Sequence, residues 1–210
     1  METWPDFERL FSRGNGWDHC WCVAFQRPRP ERARTRAEAG ARNHRYQHEL
    51  VGQGLAHGIL VYADGDPVGW CQYGPRNELP VSGSSNGTGK RTWRVTCFVV
   101  DKRHRRKGVA GVALRAALDA IRRRGGGTVE ACPVAAWTHG PAGSSNPLSV
   151  QGVGPVAPAH GSFGNVSASG TVSMFEKEGF RAVAVVGARP SARVLAMGAT
   201  GCRVLMRKVI

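Results

Sequence analysis

The chain has no apolar run of the 18 or so residues that a membrane-spanning helix needs. Its first residues, Met1-Glu2-Thr3-Trp4-Pro5-Asp6, contain neither a basic leader nor an apolar stretch, so a secretory signal is not expected. Cysteine is too sparse for a disulfide scaffold: six in 210 residues suits reduced thiols in a cytoplasmic protein. Acidic residues are scarce as well, 15 against 29 Lys and Arg, which leaves a net charge of +14. That excess favours polyanionic partners such as a nucleic acid, an acidic surface or a phosphate-rich ligand. One stretch lacks charge altogether: residues 138–170 hold no Lys, Arg, Asp or Glu. It is too long for an ordinary connection and reads as a lid or insert, at about 138–170, within a single domain spanning 1–210.

The residues that are present sort into helices, then strands, then an alternating order. Residues 5–11 space Phe7, Leu10 and Phe11 as one helical face. A dense aromatic and thiol cluster follows from Trp17 to Phe25, closed by Pro28 and Pro30, and residues 31–50 read as exposed, basic helix. Ile59 to Ala63 and Pro67 to Tyr73 form a hairpin about Asp64-Gly65-Asp66. Trp93 to Val100 is a central strand, with Trp93, Val95, Cys97 and Val99 expected on one face and Arg94, Thr96, Phe98 and Val100 on the other. The helix 109–124 keeps a narrow wet stripe of Arg115, Asp119 and Arg122 and ends at Gly125-Gly126-Gly127. Residues 128–134 are the next strand, parallel to the central one because a helix crosses between them. Pro133 cannot donate to a ladder, so pairing should fail beside it and open a gap between two parallel strands. A short helix stopped by Gly179 and two final strands, 181–186 and 203–209, complete the chain.

The junction of the central strand with its helix is Arg105-Arg106-Lys107-Gly108-Val109-Ala110-Gly111. A helix start presents unpaired N–H groups and the positive end of its dipole, and glycines and cations around it make an anion site. Two other patterns carry less. Ser84 to Lys90 resembles a Walker loop but has Ser84 for the first glycine, Arg91 after the lysine, and a strand behind it. Cys20 and Cys22, with His19, fall short of the four ligands of structural zinc and read as a buried knot, so no metal is expected. His104 reads as a solvated loop residue, and Cys97 and Cys71 as small buried hydrophobes.

Arg105-x-x-Gly108-x-Ala110, followed by Met174-Phe175-Glu176-Lys177-x-Gly179-Phe180, resembles the two signatures of the GCN5-related N-acetyltransferase (GNAT) superfamily. Cys20-Trp21-Cys22 and Gly69-Trp70-Cys71 are similar to the motifs of a subgroup within it. The resemblance implies an α/β fold: a mixed, mostly antiparallel sheet with a splayed central parallel strand pair and helices on both faces. It implies acetyl-CoA as cosubstrate, with Phe98, Val99 and Val100 offering backbone groups to the pantetheine arm and Arg106 to Gly111 wrapping the pyrophosphate, Arg105 and Lys107 adding charge. It implies direct transfer of the acetyl group to an amine of a small molecule or peptide. The family's usual acid is a tyrosine where Phe175 stands, so Ser173, Cys132 or a water must supply that proton; Glu130 is the first candidate for the base. A homodimer fits the family. Two alternatives compete: a CoA-binding protein without catalysis, and a basic nucleic-acid module imitating a KH loop at Gly108-Val109-Ala110-Gly111, against which the preceding strand argues.

Overall fold

The computed structural model describes residues 2–26, 35–79, 91–136, 170–186 and 201–210. The Walker-like segment and the uncharged insert up to residue 169 lie outside the described residues. The first helix, α1 (Trp4–Phe11), has Pro5 in its first turn and buries Trp4, Phe7, Leu10 and Phe11. A single 3₁₀ turn, Val23–Phe25, leads towards α2 (Arg36–Gly52). That helix opens on a full capping box: Thr35 Oγ1 accepts the Glu38 amide at 3.1 Å, and Glu38 Oε2 accepts the Thr35 amide at 3.2 Å. Only Asn43, Gln47 and Leu50 of α2 are buried, as its polar composition leads one to expect.

The strands are β1 (His57–Ala63), β2 (Asp66–Pro75), β3 (Thr92–Val100), β4 (Thr128–Ala131), β5 (Val134–Ala136), β6 (Arg181–Val186) and β7 (Gly201–Val209), with α3 (Val109–Arg123) and α4 (Val172–Lys177) between them. They form one sheet in the order β1-β2-β3-β4-β7-β5, with β6 on β7. Every recorded pairing is antiparallel except β3 with β4. β4 and β5 share one register along β7, Thr128 opposite Val209 and Val134 opposite Arg203. They are two halves of one strand, broken at Cys132-Pro133, where Pro133 O still accepts from Val204 N at 3.0 Å.

The expected gap is present. Parallel pairing of β3 with β4 runs from Thr92 opposite Thr128 to Val95 opposite Ala131 and stops, and β5 pairs with β7 alone. Beyond Val95, β3 therefore has a ladder partner on one side only among the described residues, and that partner is β2.

The expected alternation of β3 is wrong in its second half. Gln72 pairs with Cys97 and Tyr73 with Val95, so Thr96 is an extra residue, a β-bulge. The bulge resets the pleat: Trp93, Val95 and Phe98 join the core under α3, whereas Cys97 and Val99 join the core under α1. Two cores thus lie on opposite faces of the sheet. One is mainly aliphatic, with Ala113, Leu114, Ala117, Leu118 and Ile121 of α3 against Val129, Ala131, Val204 and Met206. The other is aromatic, with Trp4, Phe7, Phe11 and Trp21 over Trp70.

Candidate functional site

The β3–α3 junction builds a cradle. Asp101 N donates to Val68 O at 2.9 Å, which turns the backbone of residue 101 towards β2. By the two-residue alternation of a strand, Val99 faces β2 as well, and the peptide groups of Phe98 and Val100 face the gap. The three backbone positions expected from the sequence thus reduce to two that reach the opening. Val99 instead contributes its side chain to the aromatic core.

After β3 the chain turns tightly. Asp101 is buried, and its carboxylate accepts from the Arg103 amide at 2.9 Å and from the Arg103 guanidinium at 3.1 and 3.2 Å. That hydrogen bond, more than any other cause, holds its pKa down at about 2. Asn15 ties the turn to the α1 layer: its Nδ2 donates to Leu10 O at 3.0 Å and its Oδ1 accepts from Lys102 N at 3.0 Å. Arg105 is spent on the same clasp, donating to Val100 O and Asn15 O at 3.4 Å each. His104 sits beside this network, its Nδ1 3.7 Å from Asp101 Oδ1. Asp101, Asn15 and Arg13, 3.7 Å from Asp101, were missed by the sequence reading. Only Asp101-x-Arg103 had a local signal, an aspartate capping the amide two residues on.

Arg106 and Lys107 are exposed, and Arg106 adopts a left-handed φ of 63°. Gly108 is the N-cap of α3 with φ 80°, a conformation that costs other residues about 1 kcal/mol or more. Nothing lies within 4 Å of where its Cβ would stand, so the space above the loop is open. The first bond inside the helix is Val112 N to Gly108 O at 3.1 Å, and the amides of Val109, Ala110 and Gly111 precede it. No side chain caps them. The helix start is seated by Gly69 of β2, where an added Cβ would come 2.4 Å from Val109 Cγ1. Since Gly69 pairs with Val100, the free amides sit at the end of β3 that borders the gap.

The candidate proton carriers are dispersed. Glu130 is 2 % exposed, and both of its oxygens are held by guanidinium groups. Arg94 reaches Oε2 at 3.3 Å and Arg207 reaches Oε1 at 2.8 Å, while Arg94 also donates to Leu79 O at 2.8 Å. Cys132 is half-buried in the β4–β5 break. Ser173 is exposed on the first turn of α4, its Oγ 3.3 Å from Thr171 Oγ1. Phe175 is fully enclosed, edge-on to Phe98 at 6.0 Å and to Phe180 at 5.0 Å. Among the described residues, no three His, Cys, Asp or Glu side chains are grouped so as to hold a metal ion.

The model of the acetyltransferase (GNAT) family matches residues 5–140, from α1 through the β3–α3 cradle and the β4–β5 break. The chain belongs to the GNAT acetyltransferase family. Solved structures agree on the fold. A ribosomal-protein-alanine N-acetyltransferase from Brucella melitensis superposes with a TM-score of 0.52 at 14% identity, covering 99% of this chain and 96% of its own. An N-acetyltransferase from Staphylococcus aureus Mu50 superposes with a TM-score of 0.50 at 11% identity, covering 99% and 93%. Curated proteins provide no match. Among the described residues no helix is long and apolar enough to cross a membrane.

Proposed function

We propose that this GNAT chain moves an acetyl group from acetyl-CoA directly to an amine, as one domain acting in the cytoplasm. The observation that carries this reading is the placement of three unpaired amides, Val109 to Gly111, at the end of β3 where the parallel ladder has stopped. They form a main-chain anion site, and the open space over Gly108 lets a diphosphate approach it. Arg106 and Lys107 add positive charge there; Arg105 acts through the clasp on Asn15 and Val100. The peptide groups of Phe98 and the N–H of Val100 suit an extended pantetheine arm lying in the gap, since Val100 O already accepts from Arg105.

Acetyl-CoA supplies an activated thioester. The amine nitrogen attacks its carbonyl carbon, the C–N bond forms, the C–S bond breaks, the thiolate takes a proton and the amine loses one. The chain's share is to position the two reactants and to polarise the carbonyl through a β3 backbone N–H. We assign Glu130 to holding β4 against β3 and β7, because both its oxygens are occupied by arginines. Cys132, at the strand break, and exposed Ser173 are the side chains on offer for thiolate protonation beside water. Cys20 to Cys22 and Gly69 to Cys71 support the subgroup reading, for Gly69 seats α3 and Trp70 Nε1 donates to Cys22 Sγ at 3.1 Å.

The test has two stages. Saturating acetyl-CoA should raise the melting temperature, and an absent shift would overturn both the transferase and the binder readings. Free-thiol release with a panel of amines then separates enzyme from binder, and RNA binding without a CoA shift would favour the nucleic-acid reading. Glu130→Gln should lower stability and leave the shape of the pH–rate profile unchanged; a lost acidic limb with an unchanged melting temperature would restore Glu130 as the base. In the cradle, Gly108→Glu should weaken acetyl-CoA by about 100-fold, the loss expected from a carboxylate set against a diphosphate.

A further inference from the structure

The two thiols that meet between the α1 layer and the central strand have no part in the proposed transfer. Cys22 Sγ and Cys97 Sγ are 3.0 Å apart although 75 residues separate them in the chain. Cys22 is wholly buried and Cys97 is 3% exposed. Their meeting is built from both sides. Trp21 and Cys22 carry consecutive left-handed φ angles of 47° and 57°, a strained arrangement for residues with a Cβ. Gln72 holds that turn down, its Nε2 donating to Cys22 O at 2.9 Å and its Oε1 accepting from Thr96 Oγ1 at 2.9 Å. On the strand side, the bulge at Thr96 turns Cys97 to the α1 face, where strict alternation from Trp93 would have pointed it at α3.

We propose that Cys22 and Cys97 are a modification site: a reversible disulfide that forms under peroxide and locks the α1 layer onto β3. One thiol attacks the peroxide O–O bond, giving a sulfenic acid and water; the second thiol attacks that sulfur and releases another water. Two thiols are thereby oxidised by two electrons and one hydrogen peroxide is reduced to two waters. The sulfurs need to close by about 1 Å to reach bonding distance. Among the described residues, no other thiol is recorded in contact with either sulfur. Cys71 packs in the α3-side core with its Sγ 3.9 Å from Gln72 O, and Cys132 lies at the β4–β5 break. Cys20 is close enough to feel the Cys97 charge, but burial is the main cause pushing its thiol up to about 11. Burial also raises the Cys22 thiol, so Cys22 rests protonated and the reaction is slow at neutral pH.

The whole chain, reduced and then exposed to hydrogen peroxide, should be trapped with an alkylating agent and mapped by mass spectrometry without reduction. A linked pair of peptides carrying Cys22 and Cys97, two hydrogens lighter than their sum and split by dithiothreitol, is the expected result. Cys20→Ala should leave it intact, and Cys97→Ala should abolish it. The cross-linked chain should melt about 10 °C higher than the reduced one, from the loop-closure entropy of a 75-residue separation. Free Cys22 and Cys97 after oxidation, a link through Cys20, a link between chains, or a lower melting temperature would each overturn the proposal. The map on the unmutated chain decides the matter even where a variant fails to fold, and it is independent of acetyl-CoA binding.

Discussion

The two faces of the sheet are covered by opposite means. On one face a regular helix, α3, lays down small and branched aliphatic side chains, and α4 adds Phe175. On the other, α1 supplies an aromatic block, and residues 12–26 reach the sheet largely as irregular backbone. A helix satisfies its own peptide groups and needs only an apolar stripe to dock. Irregular chain brings unpaired peptide groups into the core and needs side chains to receive them. Here Gln72 donates to Cys22 O and Asn43 to His19 O at 2.8 Å, while Asn15 donates to Leu10 O at the end of α1. The first face is held by volume, the second by addressed hydrogen bonds as well.

Substitutions can break this contrast. The largest effect is expected at Phe175, fully enclosed on the aliphatic face: Phe175→Ala should cost about 3–5 kcal/mol in denaturant unfolding. Phe175→Leu should recover much of that, since volume is what this face demands. Gln72→Leu keeps volume on the other face but leaves Cys22 O and the Thr96 hydroxyl without their partner; about 2–4 kcal/mol should be lost. Recovery in Gln72→Leu comparable to Phe175→Leu would erase the distinction.

Smaller effects sharpen it. Asp101 titrates at about 2 when folded and near 4 when unfolded, so it stabilises the fold above pH 4 and that contribution fades between about pH 4 and 2. Asp101→Asn should flatten the acid limb of stability over that window, measured as the difference between variant and parent. The smallest change is Thr35→Ala, which removes one half of the α2 capping box and should cost about 1 kcal/mol.

Legibility followed the same divide. The hairpin, the strand–helix–strand crossover and the gap at Pro133 were readable because each rests on local chemistry: turn residues, periodicity, a missing donor. The Thr35-x-x-Glu38 capping box is local chemistry of the same kind. The face assignment of Cys97 and Phe98 was not readable, since a bulge changes no residue type and shows only in the register against β2. Glu130 was readable as a carboxylate beside a gap. That two arginines, one on β3 and one on β7, occupy it is a property of strands 36 and 77 residues away. Arg105 carried the family signature yet turns to Asn15, 90 residues earlier.

By itself the sequence determined the order of most strands and helices, which strand pair would splay, and where a helix start would offer free amides, because these depend on neighbours along the chain. Only the tertiary structure decided which peptide groups of β3 face the gap, which cations remain available to a phosphate, and that Cys22 meets Cys97. Those outcomes depend on register and on partners brought together across the sheet, where a shift of one residue reverses the direction of every side chain beyond it.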